Sequence, residues 1–167
     1  MKAEHINPFI ASVVEVFSVM LQCKLTRGEL SLSTDFQPKH DVSGIIGLSG
    51  KASGTVILSL ERDVAIALTE TLLGERPAAI NGDVIDAVGE LTNMVAGRAK
   101  SDLQHLAMTL ALPTVITGKN HVIRFGSTTQ TICIPYVCQW GELSLEVGLV
   151  EEGEKRFAKD KSLAAVD

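Results

Sequence analysis

The segment Glu90-Leu91-Thr92-Asn93 places a carboxylate and a carboxamide three residues apart. On a helix, side chains at positions i and i+3 are neighbours, so both groups would face the same object. A carboxamide both donates and accepts hydrogen bonds and is therefore able to orient a water molecule. A carboxylate beside it is able to pair with a lysine of a partner. The same pattern also occurs on helix faces that meet only solvent, and the residues alone leave both interpretations open.

The surrounding residues predict a long amphipathic helix over residues 86–110. This stretch has no proline, and apolar residues recur at spacings of three and four, as on the buried side of a helix. They are Val84, Val88, Leu91, Val95, Ala99, Leu103 and Leu106. The opposite side carries Asp86, Glu90, Asn93 and Gly97. Asn81 or Asp83 would cap the start of this helix.

Two glycines, Gly89 and Gly97, interrupt the helical pattern and project toward the Glu90–Asn93 side. Glycine inside a helix costs on the order of 1 kcal/mol relative to alanine. We therefore expect both positions to let another surface come close. That surface is either a neighbouring element of the same chain or a separate molecule.

The rest of the chain predicts an α+β fold, in which a mostly antiparallel sheet has its long helices on one face. A first helix is expected over residues 5–22, with Asn7 as its N-cap, Pro8 at its first position and burial nearly all round. A half-buried strand follows at 26–36, and a short helix at 63–73 ends at Gly74. Further strands are expected at 42–49, 54–60, 114–117, 122–125, 129–137 and 143–149, with turns at 37–41 and 119–120. The order of elements indicates two similar halves, each with a long helix followed by antiparallel strands.

Length and charge limit the class of protein. The 167 residues predict one domain at 1–150 and a polar tail at 151–167. A net charge of −5 argues against a nucleic-acid partner, since such proteins carry a basic surface. The start of the chain does not resemble a signal peptide, and no apolar run reaches the length of a membrane span. A cytoplasmic protein with three free cysteines, Cys23, Cys133 and Cys138, is expected.

Common enzyme motifs are missing from the sequence: it has no phosphate-binding loop, dinucleotide fingerprint, zinc-protease motif or nucleophile elbow. The four histidines, His5, His40, His105 and His121, share no local motif and are interpreted as surface or capping residues. No metal site of the chain's own is predicted.

The spacing Asp86-x-x-x-Glu90-x-x-Asn93, in a long central helix followed by Pro113, resembles the signature of the CheC/CheX/FliY family. The opening Ile6-Asn7-Pro8-Phe9 is similar to CheX-type members, and the resemblance covers roughly residues 4–150. CheC-type members carry two such helices. Here the equivalent place in helix 1 is Glu15 to Ser18, where serine replaces asparagine, so the resemblance is greatest to CheX. The gap from Asn93 to Pro113 is shorter than the usual family spacing, and the role of Pro113 stays open.

The resemblance implies a CheC-like fold and a phosphatase that removes the aspartyl phosphate of a CheY-like response regulator in chemotaxis. Asn93 would position the attacking water, and Glu90 would pair with a lysine of the receiver domain. The chain would need no cofactor of its own, because the receiver supplies Mg²⁺. Gly89 and Gly97 would give clearance for docking, and Asp86 would be a peripheral contact or only an acidic residue of the first turn.

The resemblance also implies a homodimer formed through sheet edges. The alternative function is a non-catalytic module of the same fold that binds a response regulator or a flagellar-switch partner.

Overall fold

A computed structural model of the chain describes residues 3–33, 35–36, 40–118, 123–124, 130–151 and 153. The helices are α1 (Ala3–Leu21), α2 (Arg62–Leu73) and α3 (Gly82–Asp102), with a 3₁₀ turn at Gln104–Leu106. The strands of the first half are β1 (Thr26–Arg27), β2 (Ser31–Ser33), β3 (Asp35–Phe36), β4 (Val42–Ser49) and β5 (Ala52–Leu60). Those of the second half are β6 (Thr109–Leu110), β7 (Thr114–Thr117), β8 (Ile123–Arg124), β9 (Thr131–Cys138) and β10 (Gly141–Glu151).

The main sheet is antiparallel and repeats its topology in the two halves of the chain. Strands β5 and β10 pair at its centre, with Leu143 opposite Leu60 and Val147 opposite Val56. Each is flanked by its own hairpin partner, β4 and β9. The outer strands then cross over, since β2 of the first half pairs with β9 and β7 of the second half pairs with β4. The expected α+β fold with two similar halves is confirmed.

One hydrophobic core lies between the helices and the sheet. Side chains alternate between the two faces of a strand, so Leu143, Leu145 and Val147 of β10 face the helices and join this core. Phe9, Val13 and Phe17 of α1 enter it from the helical layer. The apolar positions predicted for α3, from Val84 to Leu106, are all buried. The periodicity in the sequence therefore identified the core side of this helix correctly.

The prediction for the start of α1 was wrong. The helix begins at Ala3, so Asn7 is exposed within it and Pro8 lies in its second turn. His5 and Ile6 are 4% and 3% exposed, and their burial stabilises the helical turn that precedes Asn7. His5 Nε2 also lies 3.4 Å from Oε1 of Glu151 at the end of β10.

Burial of α1 on all sides was also wrong, because Val14, Val19 and Met20 are exposed. By length and composition α1 would be able to span a membrane, but 44% of that window is buried in this fold. It packs against α3 and β10, as a core helix does.

The segment 26–36 is not one half-buried strand. It forms the short strands β1, β2 and β3, and Leu30 and Leu32 are 46% and 68% exposed. Strands β1 and β2 pair with β9 at the outer edge of the sheet. The alternation of leucine with serine therefore does not bring these leucines into the core.

The predicted end of α3 was also wrong, since the α-helix stops at Asp102 rather than at Leu110. Leu103 and Leu106 stay buried in the 3₁₀ turn that follows, and Ala107 then adopts a left-handed conformation with φ 45°. Leu110 pairs with Leu48 of β4 in the sheet. Strand pairing thus overrides a helical pattern that the sequence continues for eight more residues.

The other predicted elements are confirmed or lie outside the described residues. Helix α2, its end at Gly74 (φ 78°), both long hairpins and β7 are present. Strand β8 occupies 123–124 of the predicted 122–125. Strand β10 ends at Glu151, one residue beyond the predicted domain. Most of the turn at 37–41, the turn at 119–120, His121 and the tail after 153 lie outside the described residues.

Candidate functional site

Helix α3 is fixed at its start by a side-chain cap and along its length by the core. The Asn81 Oδ1 atom accepts a hydrogen bond of 3.1 Å from the backbone N–H of Val84, as one of the two predicted capping residues. Ser12 of α1 donates a hydrogen bond of 2.7 Å from its Oγ to the carbonyl of Val95. These contacts give α3 a fixed position beside α1.

The predicted acid and amide lie on the outward side of this helix. Glu90 is exposed and Asn93 is half-buried, with one turn between them. Within the part of the chain that the structure describes, neither side chain has a hydrogen-bond or ion-pair partner. Asp86 is exposed one turn before Glu90, whereas the intervening Thr92 points inward and bonds the carbonyl of Val88 at 2.7 Å. The pair is therefore available to another molecule.

Asn93 forms one wall of an open groove of about 400 Å³ between α1 and α3. The α1 side of the groove consists of Glu15, Val16, Val19 and Met20. The α3 side consists of Asn93, Met94, Gly97 and Arg98. At its rim, the Arg98 guanidinium forms an ion pair with the Glu15 carboxylate across the two helices. The groove is apolar at its base and carries the carboxamide and this ion pair at its edges.

The two glycines of α3 differ in what lies opposite them. Gly89 is buried, and a Cβ atom there would lie 3.4 Å from Val115 Cγ2 and 3.7 Å from Pro113 Cγ. The chain's own Pro113 and Val115 therefore lie at ordinary contact distance from Gly89. The first of the two alternatives, a neighbouring element of the same fold, is correct at this position. Pro113 belongs to this contact.

Gly97 has fewer atoms of its own chain nearby than Gly89 has. It is half-buried and lies in the wall of the groove. The nearest atom to a Cβ atom there would be Leu110 Cδ1 at 3.8 Å, which is an ordinary contact distance. Of the two glycines, only Gly97 lies beside Asn93 on an accessible surface.

The α1 side of the groove did not follow from the sequence pattern. Val19 and Met20 were assigned to the core because apolar residues surround α1, and the pairing of Glu15 with Arg98 was not considered. The signal was nevertheless present, since Val14 and Val19 broaden the apolar stripe beyond what one core-facing side needs. Such an excess indicates an apolar surface that is left open.

No other described part of the chain offers a second catalytic cluster. Among the described residues, no three His, Cys, Asp or Glu side chains come together as metal ligands. The histidines were predicted to be surface or capping residues; His5 and His40 are buried, and His105 is exposed. All three cysteines are free. Burial, with the neighbouring Cys138 thiol, raises the pKa of Cys23 to about 12, so this thiol stays protonated.

Comparisons with known proteins identify the family. The family model described as chemotaxis phosphatase CheX matches residues 42–137. The CheY-P phosphatase CheX of Thermotoga maritima is 28% identical over 127 residues, which cover 74% of this chain and 82% of that protein.

Two solved structures show the same fold. A CheC-like superfamily protein from Shewanella sp. PV-4 is 36% identical with a TM-score of 0.83, over 90% of this chain and 99% of that one. The CheX–CheY–BeF₃–Mg²⁺ complex of Borrelia burgdorferi contains a chain that is 20% identical with a TM-score of 0.76, over 90% and 100% of the two chains. The family match spans more than half of the sequence, and this chain belongs to the chemotaxis phosphatase CheX family.

Proposed function

We propose that this chain accelerates hydrolysis of the aspartyl phosphate of a CheY-like response regulator in chemotaxis signalling. The observation that carries the proposal is the pair Glu90 and Asn93, held one turn apart on the outward side of a fixed helix. The name of the Thermotoga maritima relative supports the activity. The Borrelia burgdorferi complex supports a receiver partner, because BeF₃ stands in for a phosphoryl group there.

In this proposal Asn93 enters the phosphorylated pocket of the receiver. Its carboxamide oxygen accepts a hydrogen bond from the attacking water, and its amide group donates to an acceptor in the pocket. Phosphoryl transfer needs positioning and charge stabilisation more than covalent help, so one orienting group is a sufficient contribution. Asn93 does not need to gain or lose a proton.

Glu90 and the metal ion have separate roles in the proposal. The Glu90 carboxylate pairs with a lysine of the receiver and fixes the angle at which α3 enters. The receiver holds the Mg²⁺, as the composition of the Borrelia burgdorferi complex supports. The chain itself contributes the positioning groups and no cofactor.

The experiment is phosphate release from a phosphorylated CheY-like receiver in the presence of Mg²⁺. We expect Asn93→Ala to return the decay to the spontaneous rate, a loss of about 100-fold or more if positioning carries the chemistry. Because Asn93 is only half-buried, the variant keeps its fold, which thermal unfolding checks. Binding of the phosphorylated receiver by the wild type without any acceleration would instead select the non-catalytic binding module.

A second prediction separates Glu90 from Asn93. Glu90→Ala should mainly raise the receiver concentration needed for half-maximal acceleration, since it removes a pairing charge and not the water-orienting group. Asp86→Ala is the matched control, because it removes an exposed carboxylate one turn away on the same helix. Equal effects of the two variants would make Asp86 a contact as well. An unchanged half-maximal concentration in Glu90→Ala would remove Glu90 from the docking surface.

The assembly and location follow from the same proposal. We place the protein in the cytoplasm, where its receiver partner lies, with residues 1–150 as one domain. We further propose a homodimer formed through a sheet edge, where β1 and β2 lie on one side and β6 and β7 on the other. Light scattering of the purified chain checks the dimer, and a monomer mass at working concentration would contradict it.

A further inference from the structure

The groove between α1 and α3 leaves apolar side chains beside the proposed catalytic amide. Val19 and Met20 of α1 are 67% and 43% exposed, although each lies directly across from α3. Met94 closes the groove from the α3 side and packs on the core. Methionine side chains are flexible and adapt to the shape of what they contact.

This apolar surface is continuous with Asn93, which is itself part of the groove wall. A stable protein complex buries about 800 Å² on each partner. Asn93 and Glu90 alone fall far short of that area. A receiver that brings its aspartyl phosphate to Asn93 must therefore cover further surface nearby, and the wall of the groove adjoins Asn93 directly.

The charges around Asn93 are divided along α3. Asp86 and Glu90 precede it, and Arg98 follows it at the rim of the groove. A receiver pocket that binds Mg²⁺ through carboxylates and holds an acyl phosphate concentrates negative charge, so its surroundings attract a cation such as Arg98. The ion pair of Arg98 with Glu15 is half-exposed on both sides, and such exposed pairs contribute little to stability. Arg98 is therefore free to exchange Glu15 for a carboxylate of the receiver.

We propose that the groove formed by Val19, Met20 and Met94 binds an apolar side chain of the receiver, while Arg98 engages a receiver carboxylate. This inference rests on the proposed phosphatase function and names the part of the surface that selects the partner. Asn93 acts on the reacting atoms. The groove residues act through binding and orientation, and they determine which receiver fits.

Val19→Asp tests the groove, because it places a charge on an exposed apolar wall without disturbing the core. We expect the receiver concentration for half-maximal acceleration to rise at least tenfold, while the rate at saturating receiver stays that of the wild type. Leu73→Asp is the matched control: Leu73 is 59% exposed at the end of α2 and lies outside the groove. It should behave as the wild type in both quantities. Thermal unfolding of both variants verifies that they are folded.

Arg98→Ala tests the charge. Arg98→Ala should raise the receiver concentration for half-maximal acceleration and make this concentration less dependent on salt. Arg98→Lys keeps the positive charge and should restore part of the binding. If Asn93→Ala abolishes acceleration but Val19→Asp matches the wild type, the groove proposal is overturned and the phosphatase function stands. If Asn93→Ala remains fully active, the phosphatase mechanism itself fails.

Discussion

A carboxylate in the sheet and a carboxylate on the outward side of α3 differ in their exposure to solvent. Glu146 of β10 is 1% exposed between Leu145 and Val147, and it lies on the face of the sheet away from the helices. Among the described residues, neither of its oxygens has a hydrogen-bond partner apart from the nearby Cys133 thiol. Glu90 is exposed on α3 and faces away from its own fold. The comparison shows that a buried acid in this protein is part of the scaffold, whereas the acid proposed for function is one that another molecule is able to reach.

Small residues show the same division between scaffold and site. A Cβ atom on Gly44 of β4 would overlap Thr92 Oγ1, so α3 approaches the sheet as closely as glycine allows. Gly89 lies at ordinary contact distance from Pro113 and Val115 of its own chain. Gly97 faces the open groove. Close packing fixes the helix on one side and leaves room on the other.

The largest effect on stability is expected from Glu146 and depends on pH. Burial raises its pKa from the ordinary value of 4.5 to about 8, and the nearby Cys133 thiol offsets this only in part. The folded state therefore binds the proton more tightly than the unfolded state. The free energy of unfolding should fall as pH rises from about 4.5 to about 8, by on the order of a few kcal/mol.

Glu146→Gln should remove this part of the pH dependence, because the amide does not ionise. Urea unfolding at pH 6 and pH 8.5 for both proteins measures it, with the variant more stable than the wild type at the higher pH. Phosphate release at pH 6 should be equal in the two proteins. If the stability of Glu146→Gln falls between pH 6 and pH 8.5 as much as that of the wild type does, other groups cause the pH dependence.

Gly44→Ala should be the next most damaging change, because its new methyl group displaces Thr92 and the helix that carries Asn93. Overpacking of this kind costs about 1–3 kcal/mol. Gly47→Ala is the matched control on the same strand, since its Cβ atom would lie 3.6 Å from Ala111 Cβ. Thermal unfolding compares the two variants. Equal stability would mean that the contact between Gly44 and Thr92 relaxes easily and does not fix α3.

The smallest effects on stability are expected from Gly89→Ala and Gly97→Ala. The two variants distinguish the side of α3 that packs on its own chain from the side that faces the groove. Alanine in a helix interior is favoured over glycine by about 1 kcal/mol, and neither new methyl group meets a close obstacle, so both variants should be at least as stable as the wild type. Only Gly97→Ala should weaken binding of the phosphorylated receiver, by severalfold. If Gly97→Ala binds as the wild type does, Gly97 serves packing alone.

Much of the fold was predictable because local signals and tertiary contacts agree. The core side of α3, the Asn81 cap, the end of α2 at Gly74 and the two long hairpins each follow from a pattern within a few residues. Predictions failed where a distant contact decided the outcome. Leu110 follows a helical period but pairs with Leu48 in the sheet. Pro8 resembles a helix start, yet burial of His5 and Ile6 adds a turn before it.

The outward position of Glu90 and Asn93 on α3 was predictable and the groove beside α1 was not, for a similar reason. Glu90 and Asn93 belong to one helix, so their relative position follows from helical geometry alone. The groove needs α1 beside α3, a long-range arrangement that no local pattern encodes. The same limit explains Gly89, since only the folded chain shows that Pro113 and Val115 cover it.

The most direct test of the central claim is a single-turnover measurement at saturating concentrations of this protein, with phosphorylated receiver and Mg²⁺. Saturation removes differences in binding, so the observed rate reports how well the water is positioned. The account predicts rapid phosphate release with the wild type and spontaneous decay with Asn93→Ala, although the variant still binds. Release at the wild-type rate by the saturating variant would contradict it.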